Sequence, residues 1–98
     1  MATSNLLKET SRTQNVVATA SDADNLYDVT YKTDSSNKKL LNCTVNIKGQ
    51  KDNMFKGSMV INEAGQINTN FNDPNIDTVA MMTLFNSIIA EIKAGLTA

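Results

Sequence analysis

Leu41-Asn42-Cys43-Thr44-Val45-Asn46-Ile47-Lys48 decides the fold of this chain. Apolar and polar side chains alternate without a break, the period of a strand with one buried face. Upstream, Asp34-Ser35-Ser36-Asn37 is a cluster of turn residues. Before that turn Tyr27, Val29 and Tyr31 alternate with Asp28, Thr30 and Lys32, which makes a preceding strand. Downstream, Gly49-Gln50-Lys51-Asp52-Asn53 is a connection, and Phe55, Met59 and Ile61 mark another strand with Lys56, Ser58 and Asn62 facing away. Glu63-Ala64-Gly65 is a tight return into a short strand that carries Ile67, Thr69 and Phe71 inward. The predicted strands are 24–33, 38–48, 54–62 and 66–71. Connections this short favour sequential antiparallel pairing, hence a meander.

Past the last strand the period changes to that of a helix, predicted over 74–94. Asp73 suits the N-cap, Pro74 the first helical position, and Asp77 the positive end of the dipole. Met81, Met82, Phe85, Ile88, Ile89, Ile92 and Leu96 fall within an arc of about 120°. Lys93 and Gly95 suit a C-terminus. The expected fold is α+β: an antiparallel meander of about four strands with one C-terminal amphipathic helix packed on one face. Val45, Ile47, Phe55, Met59, Ile61, Phe85, Ile88 and Ile92 are its expected core. Residues 1–23 read as a polar arm with two apolar nuclei, Leu6-Leu7 and Val16-Val17, and 24–98 as a single domain.

One helix covers one face of a sheet. Leu26, Leu40, Met54 and Val60 alternate out of phase with the inward set and are expected on the other face. A sheet that is apolar on both faces needs a second cover. The candidates are the arm, through Leu6, Leu7, Val16 and Val17, or a second copy of the chain. These residues are the expected interface. Thirteen Asn in 98 residues, with Asn42, Asn46, Asn68 and Asn70 inside strands, add uncharged donors and acceptors to the same outward face. That composition suits a wet, hydrogen-bonded protein contact, although an AT-rich genome produces the same bias.

Catalytic chemistry is sparse. The chain has no His, which removes the usual neutral-pH proton shuttle and the commonest metal ligand. Cys43, the single cysteine, alternates with Leu41, Val45 and Ile47, where it serves as a small core residue. Asp22, Asp24 and Asp28 resemble the start of a calcium loop, but Leu26, Tyr27 and Thr33 stand where its fifth, sixth and twelfth residues belong. The glycines form no phosphate loop. Neither cofactor nor metal is expected.

Nine Lys and Arg against ten Asp and Glu give a net charge of −1, with no global attraction to nucleic acid or anionic lipid. Lys32, Lys48 and Lys56 share strands with Tyr27, Tyr31 and Phe55, a composition that can stack single-stranded bases. Phase opposes this, since the aromatics are expected inward and the lysines outward. No apolar run approaches the ~20 residues of a bilayer span. Leu6-Leu7 is too short for a signal peptide, so Asn42-Cys43-Thr44 is read as a chance glycosylation match. The expected location is intracellular (cytoplasmic) or within a virus particle. The leading expectation is a non-enzymatic structural or protein-interaction subunit of a homo-oligomer or larger assembly, a virus or phage particle being one such assembly. The alternatives are a module that binds single-stranded nucleic acid and a small enzyme with a carboxylate-based site.

Overall fold

A computed structural model of the chain describes residues 12–97. Five strands, β1 (Thr13–Ser21), β2 (Asn25–Asp34), β3 (Lys39–Gly49), β4 (Phe55–Ile61) and β5 (Ile67–Phe71), precede one helix, α1 (Thr78–Thr97). The strands form one antiparallel sheet in the order β1-β2-β3-β4-β5, a meander. α1 lies across one face, over the central strand β3. The architecture is the α+β meander with one helix that the periodicity implies.

The sheet has one strand more than expected. Residues 13–21, read above as part of a polar arm, pair along their whole length with β2, Thr13 opposite Asp34 and Ser21 opposite Leu26. Their period-two signal is weak because the helix-facing positions are Gln14, Val16, Ala18 and Ala20, one polar and two too small to stand out. β-branched Thr13, Val16, Val17 and Thr19 supply the strand propensity.

The core lies between the sheet and α1. Tyr27, Val29, Cys43, Val45, Ile47, Met59 and Ile61 project from the sheet against Met81, Phe85 and Ile89, and all are buried. Ile88 and Ile92 pack against this cluster half-buried. Gly57 faces the helix side opposite Phe71, where a Cβ would lie 2.6 Å from the Asn70 carbonyl and 3.0 Å from the Phe71 ring. Only a glycine lets that aromatic lie against the neighbouring strand.

Two bulges change which face certain residues occupy. Between β2 and β3, Lys32 pairs with Asn42 but Thr33 with Leu40, so Leu41 is the extra residue. Between β3 and β4, Ile47 pairs with Gly57 but Lys48 with Phe55, so Lys56 is the extra residue. An extra residue inverts the alternation beyond it. Leu40 therefore turns to the helix side and packs against the core, not to the outward face. Phe55 is inverted the other way. It shares the outer face with Lys48, is 48% exposed, and is no part of the core. At the second bulge the Lys56 carbonyl accepts the N–H groups of Asn72 and Asp73, which ties the connector after β5 to the sheet.

The helix begins at Thr78, not 74. Asp77 is its N-cap, with Oδ1 accepting the Ala80 N–H at 3.0 Å. Asp73 closes a separate turn, in which Oδ1 accepts the Asn75 N–H and its carbonyl the Ile76 N–H. Gly95 does not stop the helix, which runs to Thr97. By length and composition Thr78–Leu96 would suffice to cross a membrane, with mean hydropathy 1.4. The polar breaks at Thr83, Asn86, Ser87, Glu91 and Lys93 hide this from a search for an uninterrupted apolar run.

Candidate functional site

The helix covers one side of the sheet, and no described element covers the other. The outer face consists of cross-strand rows. Ser21, Leu26, Lys48 and Phe55 form one, and Thr19, Asp28, Asn46, Ser58 and Asn70 the next. Val17, Thr30, Thr44, Val60 and Asn68 form the third, with Asn15, Lys32 and Asn42 beyond it. Lys48 Nζ pairs with Asp28 Oδ2 at 3.0 Å on this face. Exposed pairs of this kind contribute about 0–1 kcal/mol.

Of the expected interface residues, Val17, Leu26 and Val60 lie on this face. Val17 is 78% exposed, whereas Leu26 and Val60 are half-buried. Met54 is exposed in the β3–β4 loop. Val16 and Leu40 face the helix side, and Leu6 and Leu7 lie outside the described residues. Phe55 is the outer-face apolar residue that counting by twos misses. Its position beside Lys48 removes the phase objection to base stacking for that one aromatic, while the bulge takes Lys56 off the outer face.

Among the described residues β1 is an edge strand. Its nine residues, Thr13-Gln14-Asn15-Val16-Val17-Ala18-Thr19-Ala20-Ser21, include no charge and no proline, and its register with β2 has no bulge. Charges, prolines and bulges are the usual means of keeping a sheet edge from pairing with another chain. β1 has none of them. Alongside it, on the helix side, an apolar cleft of about 480 Å³ runs between β1 and the C-terminal half of α1. Val16, Ala18 and Ala20 form its floor, and Ile88, Ile92 and Leu96 its wall.

A second cleft, of about 550 Å³, lies at the other end of the helix, where the β1–β2 and β3–β4 loops meet the connector into α1. Its lining is polar and includes Asp22, Asp24, Asp52, Asp73 and Asp77 with Lys51 and Lys56. Most of these carboxylates hold the loops in place. Asp22 Oδ1 accepts the N–H groups of Asp24 and Asn25 at 2.9 and 2.8 Å. The Tyr27 hydroxyl donates to Asp22 Oδ2 at 2.5 Å, and this bond is the main reason the Asp22 carboxyl is held below the usual carboxylate value. Burial, then the hydrogen bond to Asp22, pushes the Tyr27 hydroxyl up to about 12. Asp52 Oδ1 accepts the Met54 N–H, and Asp73 Oδ2 lies 3.7 Å from Lys56 Nζ. Here Asp22 closes a hydrogen-bonded turn that includes Asp24 and Asn25.

The one thiol offers no nucleophile. Cys43 is fully buried, and burial pushes it up to about 11. Among the described residues no three His, Cys, Asp or Glu side chains are grouped so as to hold a metal ion. No family model, curated protein or solved structure matches the chain.

Proposed function

We propose that the protein is a non-enzymatic assembly subunit that joins a second copy of itself through β1. The observation that carries this reading is the nine-residue, uncharged, unbulged edge. Its sequence is self-complementary. Antiparallel pairing of two copies centred on Val17 sets Val17 against its own copy, Asn15 against Thr19 and Thr13 against Ser21. One step beyond each end, Arg12 of one copy stands opposite Asp22 of the other. Like charges meet nowhere along the strand, and opposite charges flank it. Such an interface is isologous, as a two-fold dimer requires, and it continues the two five-stranded sheets into one. It also brings the two apolar clefts side by side, so that Ile88, Ile92 and Leu96 of each copy gain a cover.

Sedimentation velocity on the full chain tests this. A dimer is expected, and Val17→Lys, which sets two ammonium groups against each other across the seam, is expected to return a monomer with an unchanged circular dichroism spectrum. Val17 is exposed, so the substitution disturbs no core packing. A wild-type chain that stays monomeric at high concentration, or a Val17→Lys variant that dimerises as well as wild type, overturns the proposal.

A further inference from the structure

The helix does not close the whole of its own side of the sheet. α1 lies over β3, and along β1 it leaves the apolar cleft of about 480 Å³ described above. Ala18 sits in the middle of the cleft floor and is exposed, while Val16, Ile88, Ile92 and Leu96 are only half-buried. Covering such a lining removes apolar surface from water and is favourable. The outer face of β1 offers far less, since Thr13, Asn15, Thr19 and Ser21 surround one apolar residue, Val17.

The segment that leads into β1 has the composition, the position and the length to fill this cleft. Residues 1–11 lie outside the described residues. Within them Leu6-Leu7 is an adjacent apolar pair, and Lys8-Glu9-Thr10-Ser11 is a polar stretch suited to a reversal. The chain enters β1 at the right end. α1 starts beside the β1–β2 loop and finishes at the opposite end of the sheet, where Gln14, Thr33 and Leu96 line the cleft together. There the Arg12 carbonyl accepts the Ser35 N–H at 2.8 Å and the Ser35 hydroxyl at 3.1 Å, which fixes the point of departure. Leu7 is five residues before Arg12, a reach of at most about 17 Å. Val16 is four residues after it, about 13 Å along the strand, so a returning segment brings the leucines into the half of the cleft walled by Ile92 and Leu96. Glu91 is the charged residue of the lining, and Lys8 follows the leucine pair. A tether this short holds the segment at about millimolar effective concentration, so modest affinity suffices.

We propose that residues 1–11 fold back into this cleft of their own chain, with Leu6 and Leu7 against Ile92 and Leu96 and Lys8 beside Glu91. The segment then lies on the helix side of the sheet and leaves the hydrogen-bonding edge of β1 free. Two clefts brought side by side in a dimer each keep their own occupant. Methyl-resolved NMR on the full chain tests this, in the Val17→Lys background so that the result does not depend on dimer formation. The Leu6 and Leu7 methyl groups are expected to give nuclear Overhauser contacts to the Ile92 and Leu96 methyls. A mixture of isotope-labelled and unlabelled chains is expected to show these contacts as intramolecular. Leu6→Ser with Leu7→Ser is expected to erase them and to shift the Ala18 and Ile88 methyl signals, with an unchanged circular dichroism spectrum. Glu91→Lys, at an exposed position, is expected to lower the docked population about two- to fivefold, the worth of an exposed ion pair. Lys8→Glu added to the same chain is expected to restore it. Absence of contacts from the leucines to Ile92 and Leu96 overturns the proposal. So do contacts that are only intermolecular, which assign the cleft to a second copy, and backbone contacts from residues 4–9 to the free edge of β1, which make the segment a sixth strand.

Discussion

Tyr27 stands at the junction of core and cleft, with its ring buried against Met81 and its hydroxyl shared between Asp22 and Asn25. Tyr27→Phe keeps the ring and leaves the Asn25 Nδ2 without an acceptor. The expected cost at neutral pH is about 1–3 kcal/mol, the penalty for a buried donor left unmade. The pH dependence has a definite sign on each side. Asp22 is held below its ordinary value of 3.8, so the stability it confers is complete above that value and is lost as the pH falls through the folded-state pKa. Tyr27 is raised from 10.0 to about 12, so its contribution is complete below pH 10 and is lost as the pH rises towards 12. Urea melts across this range check both. The gap between wild type and Tyr27→Phe is expected to narrow below pH 3.8 and again above pH 10; a gap that stays constant across the acid branch removes Asp22 from the account. The alternation around Tyr27 reveals its burial and sets Asn25 on the same face of β2, but not its Asp22 partner, which reaches it from a loop whose course no periodicity encodes.

At the level of elements, four of the five strands and the helix were legible, and their phase was lost only beside the bulges. Period-two counting assumes an uninterrupted ladder, and the extra residues Leu41 and Lys56 break it in two places. Leu40 and Phe55 lie just beyond those breaks, which is why both are assigned to the wrong face while Val45, Ile47, Met59 and Ile61 are assigned correctly. The helix start shows a related ambiguity. Asp73 and Asp77 are both acceptable caps by residue type, and the hydrogen bonds decide for Asp77. Asp77→Ala is therefore expected to cost about 1 kcal/mol, the usual value of a lost N-cap, and to lower hydrogen-exchange protection at Ala80 and Met81. Asp73→Ala is expected to leave that protection unchanged. If Asp73→Ala exposes the Ala80 amide instead, the cap has been assigned to the wrong aspartate.

For the molecule as a whole, the reading of a two-sided sheet placed Leu26 and Val60 on the open face and Val17 in an arm that was a candidate cover for it, but no sequence signal marked residues 13–21 as the edge on which assembly is now proposed to depend. That edge is invisible before the pairing is known, since an uncharged polar segment reads alike as strand or tail. The meander has a further consequence, for the time course of folding. Spatial order equals chain order throughout the sheet, so every ladder closes by a hairpin and none waits for a distant segment. The chain should refold in a single exponential phase on the order of milliseconds, as mixed domains dominated by local pairing do. Stopped-flow tyrosine fluorescence, with Tyr27 and Tyr31 as reporters, measures it. The rate is expected to be independent of protein concentration, with association of the β1 edges following as a slower step that accelerates with concentration. A first phase that itself speeds up with concentration would mean that the sheet forms only as two copies meet, and that the edge strand of each is templated by the other.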